Sequence, residues 1–278
     1  MKPLAVFTMV RNEAVFLPLW LRHYNRTGAD LHVLDHESND GSVNPDKTPI
    51  PFSVRRVVHP TTDDAGWMLT LVQDTQRELL REYRRVIYAE VDEILVPVGG
   101  DLRGWLDRER RADATVTATG YDVCPLPDSP PLIAAWTKTA CEQHTPGRFE
   151  LECPACNSKN ATPLVNAHPL RGRALKRNDR YDKTLISSEP LTWEVGFHRT
   201  TGRPPQAPDP HLLLLHFHYA DRELAWKRLQ TRMRDKPPSP GDLGFQNKYR
   251  DREPFDRNFD EAVRDAVPTS TALGELLL

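Results

Sequence analysis

The chain has 278 residues, 38% of them hydrophobic and 27% charged, enough to bury one sizeable core and too apolar for a disordered polymer. Lys and Arg number 37 against 39 Asp and Glu, a formal net charge of −2, which argues against a general nucleic-acid binder, whose phosphate contacts need a basic excess. No apolar run approaches the roughly 20 residues of a membrane span and no signal peptide opens the chain, so the expectation is a single-domain cytoplasmic protein. The 25 prolines announce long or numerous loops, and four cysteines do not make a disulfide scaffold.

Residues 4–10 (LAVFTMV) are rich in β-formers and read as a buried strand. The strand stops at Arg11-Asn12-Glu13. Residues 14–25 then place Phe16, Leu19, Trp20 and Tyr24 at helical spacing, with Gly28 as a C-terminal stop. Residues 31–34 form a second strand that ends in DHESNDGS, from Asp35 to Ser42. Strand, helix and strand in this span make a βαβ unit, and its crossover implies parallel strands. Ligands of such sheets sit beyond the carboxyl ends of the strands, where Asn12, Glu13, Asp35 and Asp40 fall together. A carboxylate there can accept from a nucleobase N–H or a ribose hydroxyl. The same residue types also favour turns, so loop capping is the competing explanation. Gly41 lets the backbone turn where a side chain would obstruct.

Residues 69–85 read as a helix with a polar outer face and 86–89 as an apolar strand running into Glu90-Val91-Asp92-Glu93-Ile94-Leu95-Val96. Period-two alternation along that strand puts Glu90 and Asp92 on one face and Glu93 on the other. Two carboxylates on one face are costly without a cation or a hydrogen-bonding ligand. A divalent ion on a diphosphate would offset that cost. No GxGxxG fingerprint and no GxxxxGK[ST] loop occurs, which disfavours a dinucleotide-dependent dehydrogenase or a P-loop kinase.

Val10-Arg11-Asn12-Glu13, Asp35-x-x-Ser38-x-Asp40-Gly41-Ser42 and the FLPxWLxHY-like stretch at 16–24 together resemble the opening of the family 2 glycosyltransferases of the GT-A fold. The resemblance covers residues 1–100 well and 183–228 loosely. It implies an α/β, GT-A-like (Rossmann-like) fold: a mixed, mostly parallel central sheet flanked by helices. It also implies a nucleotide-sugar donor with UDP favoured, a catalytic Mn²⁺ or Mg²⁺, and a glycan or lipid-linked acceptor, as in polysaccharide biosynthesis. On that resemblance Asn12, Glu13 and Asp35, together with Asp40, hold the base and ribose. The family's Asp-x-Asp, often continued as Asp-x-Asp-Glu-Phe-Leu, stands here as Glu90-Val91-Asp92-Glu93-Ile94-Leu95. The second acid is kept and the first is Glu, so metal binding falls to Asp92 before Glu90, which can instead reach ribose or a metal-bound water.

Residues 114–121 alternate as a strand. Cys141, His144, Cys153 and Cys156 follow with the spacing C-x2-H-x8-C-x2-C, which suits a tetrahedral structural zinc stapling a Pro-rich insertion over 125–170. Unbound thiols, or a Cys153–Cys156 redox pair, are the alternatives. Cys124 reads as a small core residue.

Further on, 181–187 resembles a strand whose Lys183 meets a phosphate. Residues 212–219 form a strongly apolar strand with His216 and His218 on one face. The family often has a His-Tyr pair at such a strand end, here His218-Tyr219, and a late histidine that completes the metal shell; that role goes to His218, with His198 and His216 as competitors. For an inverting reaction a carboxylate must take the acceptor proton; the candidates are Glu194 and then Asp182. Residues 221–234 form a helix capped by Asp221. Its Arg and Lys residues either form a solvated face or attract a diphosphate or an anionic membrane surface, a peripheral contact. The region 221–278 is helical, with a second helix near 259–267 as lid or support. The rival functions are a zinc-stapled nucleotide-binding module without catalysis, a sugar nucleotidyltransferase, and a glycan-binding protein that stacks sugars on Trp67, Trp136 and Trp193.

Overall fold

A computed structural model of the chain describes residues 1–58, 65–98, 101–108, 115–127, 129, 132, 173–202, 206–234, 251–269 and 271–272. The first half is a parallel sheet. Strands β1 (Lys2–Val10), β2 (Asp30–Asp35), β3 (Ser53–Arg56) and β4 (Tyr83–Tyr88) lie in the order β4-β1-β2-β3. In register, Val10 faces Asp35 and Phe7 faces Tyr88. Helices α1 (Phe16–Asn25) and α2 (Ala65–Leu79) make the crossovers. Helix α1 buries Phe16, Leu17, Leu19, Trp20, Leu21, His23 and Tyr24, so the hydrophobic effect holds it by much more than one narrow stripe. It ends before Gly28, whose φ of 73° supplies the left-handed turn.

The second half is chiefly antiparallel. Strands β5 (Glu93–Pro97), β6 (Val116–Pro125), β7 (Arg173–Arg177), β8 (Thr184–Ser187), β9 (Asp209–His216) and β10 (Val267–Pro268) complete a sheet with helix α3 (Leu102–Arg108) beside it. β6 joins the halves, since its start pairs with β8 and the rest with β7 and β9. β8 is antiparallel to both β4 and β6, and β9 is parallel to β6. The carboxyl ends of β1, β2, β4, β6 and β9 therefore share one edge. Leu212, Leu213, Leu214 and Leu215 in β9 are fully buried, the continuous apolar run of a strand covered on both faces.

Helices α4 (Arg222–Arg234) and α5 (Arg252–Val263) pack on each other through Ala225, Phe255 and Phe259. Asp221 caps α4 as expected: its Oδ1 accepts from Leu224 N at 2.9 Å. The second helix starts well before the expected 259 and buries Phe255 and Phe259 on one side.

The expected strand does not run on unbroken through 90–96: β4 stops at Tyr88, and residues 93–97 form the separate strand β5. The ladder between β4 and β1 ends where Ala89 N donates to Phe7 O at 3.2 Å. Beyond it the chain turns, with Glu93 N on Glu90 O at 2.9 Å and Glu90 N on the Glu93 carboxylate at 3.0 Å, and β5 then runs back antiparallel to β9. Side-chain alternation therefore does not govern Glu90, Asp92 and Glu93. Cys124 is a buried free thiol, pushed up to about 12 by burial. β6 and β7 pair directly, Pro125 opposite Arg173; Cys141, His144, Cys153 and Cys156 between them lie outside the described residues. Among the described residues no helix is long and apolar enough to cross a membrane.

Candidate functional site

Three elements converge at the shared carboxyl edge. Asp92 sits in the turn after β4, His216 ends β9, and His218 follows two residues later. One oxygen of Asp92 and one nitrogen of each histidine lie within 4.8 Å of one another. The rings of His216 and His218 are parallel, 8° apart, with centroids 5.6 Å apart, as alternation requires of residues two apart. Phe217 between them is buried, and its N–H donates to Asp92 O at 2.9 Å, fastening the end of β9 to the turn.

The orientation of His216 is set by β6. Asp122 lies opposite it in register, and Asp122 Oδ1 is 2.8 Å from Nδ1. Asn178 donates to the other Asp122 oxygen at 2.7 Å. With a proton on Nδ1 held by a carboxylate, Nε2 is left to face Asp92, 4.0 Å from its Oδ2. This is the arrangement that orients ligating histidines. Burial lowers the proton affinity of His216, but the Asp122 bond and the charge of Asp92 outweigh it, and the net shift is upward. Burial likewise pushes the Asp92 carboxyl up, and the charges of Arg228, His216 and His218 more than reverse it, leaving it well below the usual carboxylate range. Tyr181 stacks on His216 with centroids 4.0 Å apart. Gly120 permits this, because a Cβ there would come within 2.4 Å of the Tyr181 carbonyl.

Arg228 of α4 bridges two strand ends. Its Nη1 donates to Asp92 Oδ2 at 2.6 Å, while Nη2 and Nε donate to Glu13 Oε1 at 2.7 and 3.2 Å. The guanidinium lies 4.6 Å from the Phe16 ring centroid, and the side chain is 10% exposed. It lines a cleft of about 530 Å³ together with Asn12, Glu13, Asp40, Asp221 and Lys227.

Lys183 is not open to a phosphate. It is fully buried between Glu90, at 2.6 Å, and Glu93, which it also contacts. Burial alone would lower its proton affinity, but the two carboxylates raise it. Burial raises the Glu93 carboxyl to about 7 despite Lys183, whereas Lys183 draws Glu90 below its usual value against burial. Glu90 thus belongs to this ion cluster and not to the Asp92–His216–His218 group, and Glu93, expected on the opposite face, belongs to it as well.

The remaining expected residues are placed as follows. Asn12, with φ of 56°, accepts from Asn39 N at 2.8 Å and Asp40 N at 3.3 Å. Asp40 accepts from Ala14 N and Ser42 N, and buried Asp35 accepts from Ser38 N at 2.9 Å. These side chains tie the loops after β1 and β2 together, as turn chemistry predicts; Asn12 and Asp40 also line the cleft. Asp182, the second catalytic candidate, is engaged by Gly120 N at 2.9 Å and Arg177 at 2.6 Å, so it pins the turn against β6. Glu194 is exposed on the turn between the bridged Trp193 and Thr200. His198 packs edge-on against Tyr181 and stands outside the three-residue group. Trp193 is core, and Trp67 rests against His36.

Asp122 and Arg228 were not singled out by the sequence. A lone carboxylate within the otherwise apolar and small residues of β6 was the available signal for Asp122, because a buried charge needs a partner. Arg228 had none, standing among four other cationic residues in α4.

No protein-family model matches the chain, and no curated protein sequence does. Among solved structures it is similar to a protein of Desulfovibrio desulfuricans G20 described as a "putative nucleotide-diphospho-sugar transferase", at 14% identity and a TM-score of 0.22. That overlay covers 45% of this chain and 59% of the other, less than two thirds of its length.

Proposed function

We propose that the chain is a metal-dependent glycosyltransferase that moves a sugar, of hexosyl type, from a nucleotide-sugar to a glycan, lipid or other acceptor, with UDP-sugars as the favoured donors. The observation that carries this reading is the gathering of Asp92, His216 and His218 at the carboxyl edge of the sheet, beside a cleft into which Arg228 and Lys227 bring positive charge.

The donor set fits a divalent cation. One carboxylate oxygen and two imidazole nitrogens suit Mn²⁺ better than Mg²⁺, which prefers oxygen throughout, and the carboxylate behind His216 supports the same role. Asp92, His216 and His218 would hold the ion; Glu90, committed to Lys183, drops behind them. When bound, the cation neutralises charge developing on the leaving diphosphate. Lys227 and Arg228 add fixed positive charge on the cleft wall. Asn12, Glu13, Asp35 and Asp40 shape the nucleotide end, the first and last through their place in the cleft and Asp35 by fixing the loop after β2. Asp182 is spent on Gly120 and Arg177, so of the two carboxylates proposed for the acceptor proton Glu194 is the one left for an inverting reaction.

Isothermal titration of UDP and GDP with and without Mn²⁺ tests this. The expected result is nucleotide binding that requires Mn²⁺ and disappears in Asp92→Asn. Binding indifferent to the metal, or none, contradicts it.

A further inference from the structure

We infer that Arg228 is a diphosphate-positioning residue that a cation releases from Asp92 and that Glu13 keeps in the cleft. The inference rests on the proposed metal and nucleotide reading of the site. It starts from an overlap: the Asp92 oxygen that Arg228 holds at 2.6 Å is the one that faces His216 Nε2 at 4.0 Å. A guanidinium and a divalent cation cannot both press on that oxygen without like-charge repulsion at short range. Entry of the cation therefore weakens the bond from Nη1 to Asp92.

Arg228 does not then leave the cleft. Nη2 and Nε remain on Glu13 Oε1, and the guanidinium keeps its seat over Phe16. Glu13 thus acts as a pivot. Arg228 lines the cleft, and a diphosphate held there next to the cation offers the freed Nη1–H groups oxygens in the planar geometry that arginine matches. The exchange has a thermodynamic consequence. The cation alone must compete with Arg228, whereas the cation with a diphosphate gives Arg228 a new partner. Metal and diphosphate each strengthen the other's binding, and the coupling is reciprocal.

Mn²⁺ affinity measured by titration and by the free Mn²⁺ electron-spin signal, with and without UDP, tests this in the full chain. Arg228→Met removes the competitor and should bind Mn²⁺ alone roughly tenfold tighter, while losing about tenfold in Mn²⁺-dependent UDP affinity. Glu13→Gln, nearly isosteric, leaves Arg228 leaning on Asp92 and should bind Mn²⁺ alone more weakly than the wild type. A merely structural arginine would weaken metal binding in both variants. Equal Mn²⁺ affinity in all three proteins overturns the exchange and leaves the metal reading standing. Mn²⁺ binding in none of them overturns both.

Discussion

Two cations flank the turn after β4, and each stands between two carboxylates. Lys183 is fully buried against Glu93, with the partly exposed Glu90 beside them, and Arg228 joins Glu13 to Asp92 on the wall of a cleft. The composition of the two clusters is alike, but their surroundings are not. Lys183 has no exposed surface, with the Tyr181 ring 5.3 Å from its Nζ and the fully buried Glu93 against it. Arg228 faces open volume and shares its Asp92 oxygen with a histidine. A closed ion cluster fixes the turn, and an open one can exchange partners. The difference shows why buried charge alone does not mark a site: access and a second set of ligands do.

The largest effect should come from breaking the closed cluster. Lys183→Met leaves two acids without their cation and should cost about 3–5 kcal/mol in denaturant unfolding. Mn²⁺ should not restore that loss, whereas it should restore stability to Arg228→Met by binding the native state. Rescue of both variants by Mn²⁺ would erase the distinction.

His23 gives the comparison a buried ionisable group with no charged partner. Its Nε2 bonds Leu95 O at 2.8 Å and its Nδ1 is buried without a partner. Burial lowers its proton affinity to about 4 from 6.5. The unfolded chain therefore binds a proton that the native state refuses. Stability is fully present above about 6.5 and falls as the pH drops toward about 4, by about 3 kcal/mol in all. In His23→Gln this part of the slope should vanish; an unchanged slope across that window would assign it to the ion clusters instead.

A smaller effect is expected from Asp122→Asn. It keeps the size of the side chain but weakens the hold on His216 Nδ1, so Mn²⁺ affinity should fall about 10–100-fold while Lys183 and its partners stay in place. A drop in thermal stability with unchanged metal affinity would make Asp122 part of the closed, structural class.

The first βαβ unit was legible because its signals are local: β-formers in β1, helical spacing in α1, Gly28 after it. β3 was not, since SVRR is wholly exposed at the sheet edge and carries no apolar pattern. The turn at 89–92 was hidden because alternate acids mimic a strand, while the actual cause, the end of pairing with β1 at Ala89, is a property of the sheet. Within the site, Asp92 and the His-x-His that begins at the end of β9 could be read from local pattern. Their partners could not: Arg228 meets Asp92 across 136 positions and Glu13 across 215, and Asp122 meets His216 across 94. Such pairings exist only once the strands are assembled. Lys183 shows the converse, a lysine whose local setting suggested a phosphate and whose long-range neighbours are acids.

The nitrogen couplings of bound Mn²⁺, read by pulsed electron-spin resonance, test the central claim most directly. The account predicts imidazole nitrogen couplings in the wild type that diminish in His218→Ala and again when His216 is also replaced, with Mn²⁺ binding lost in Asp92→Asn. A Mn²⁺ signal with oxygen surroundings alone, indifferent to all three substitutions, would contradict it.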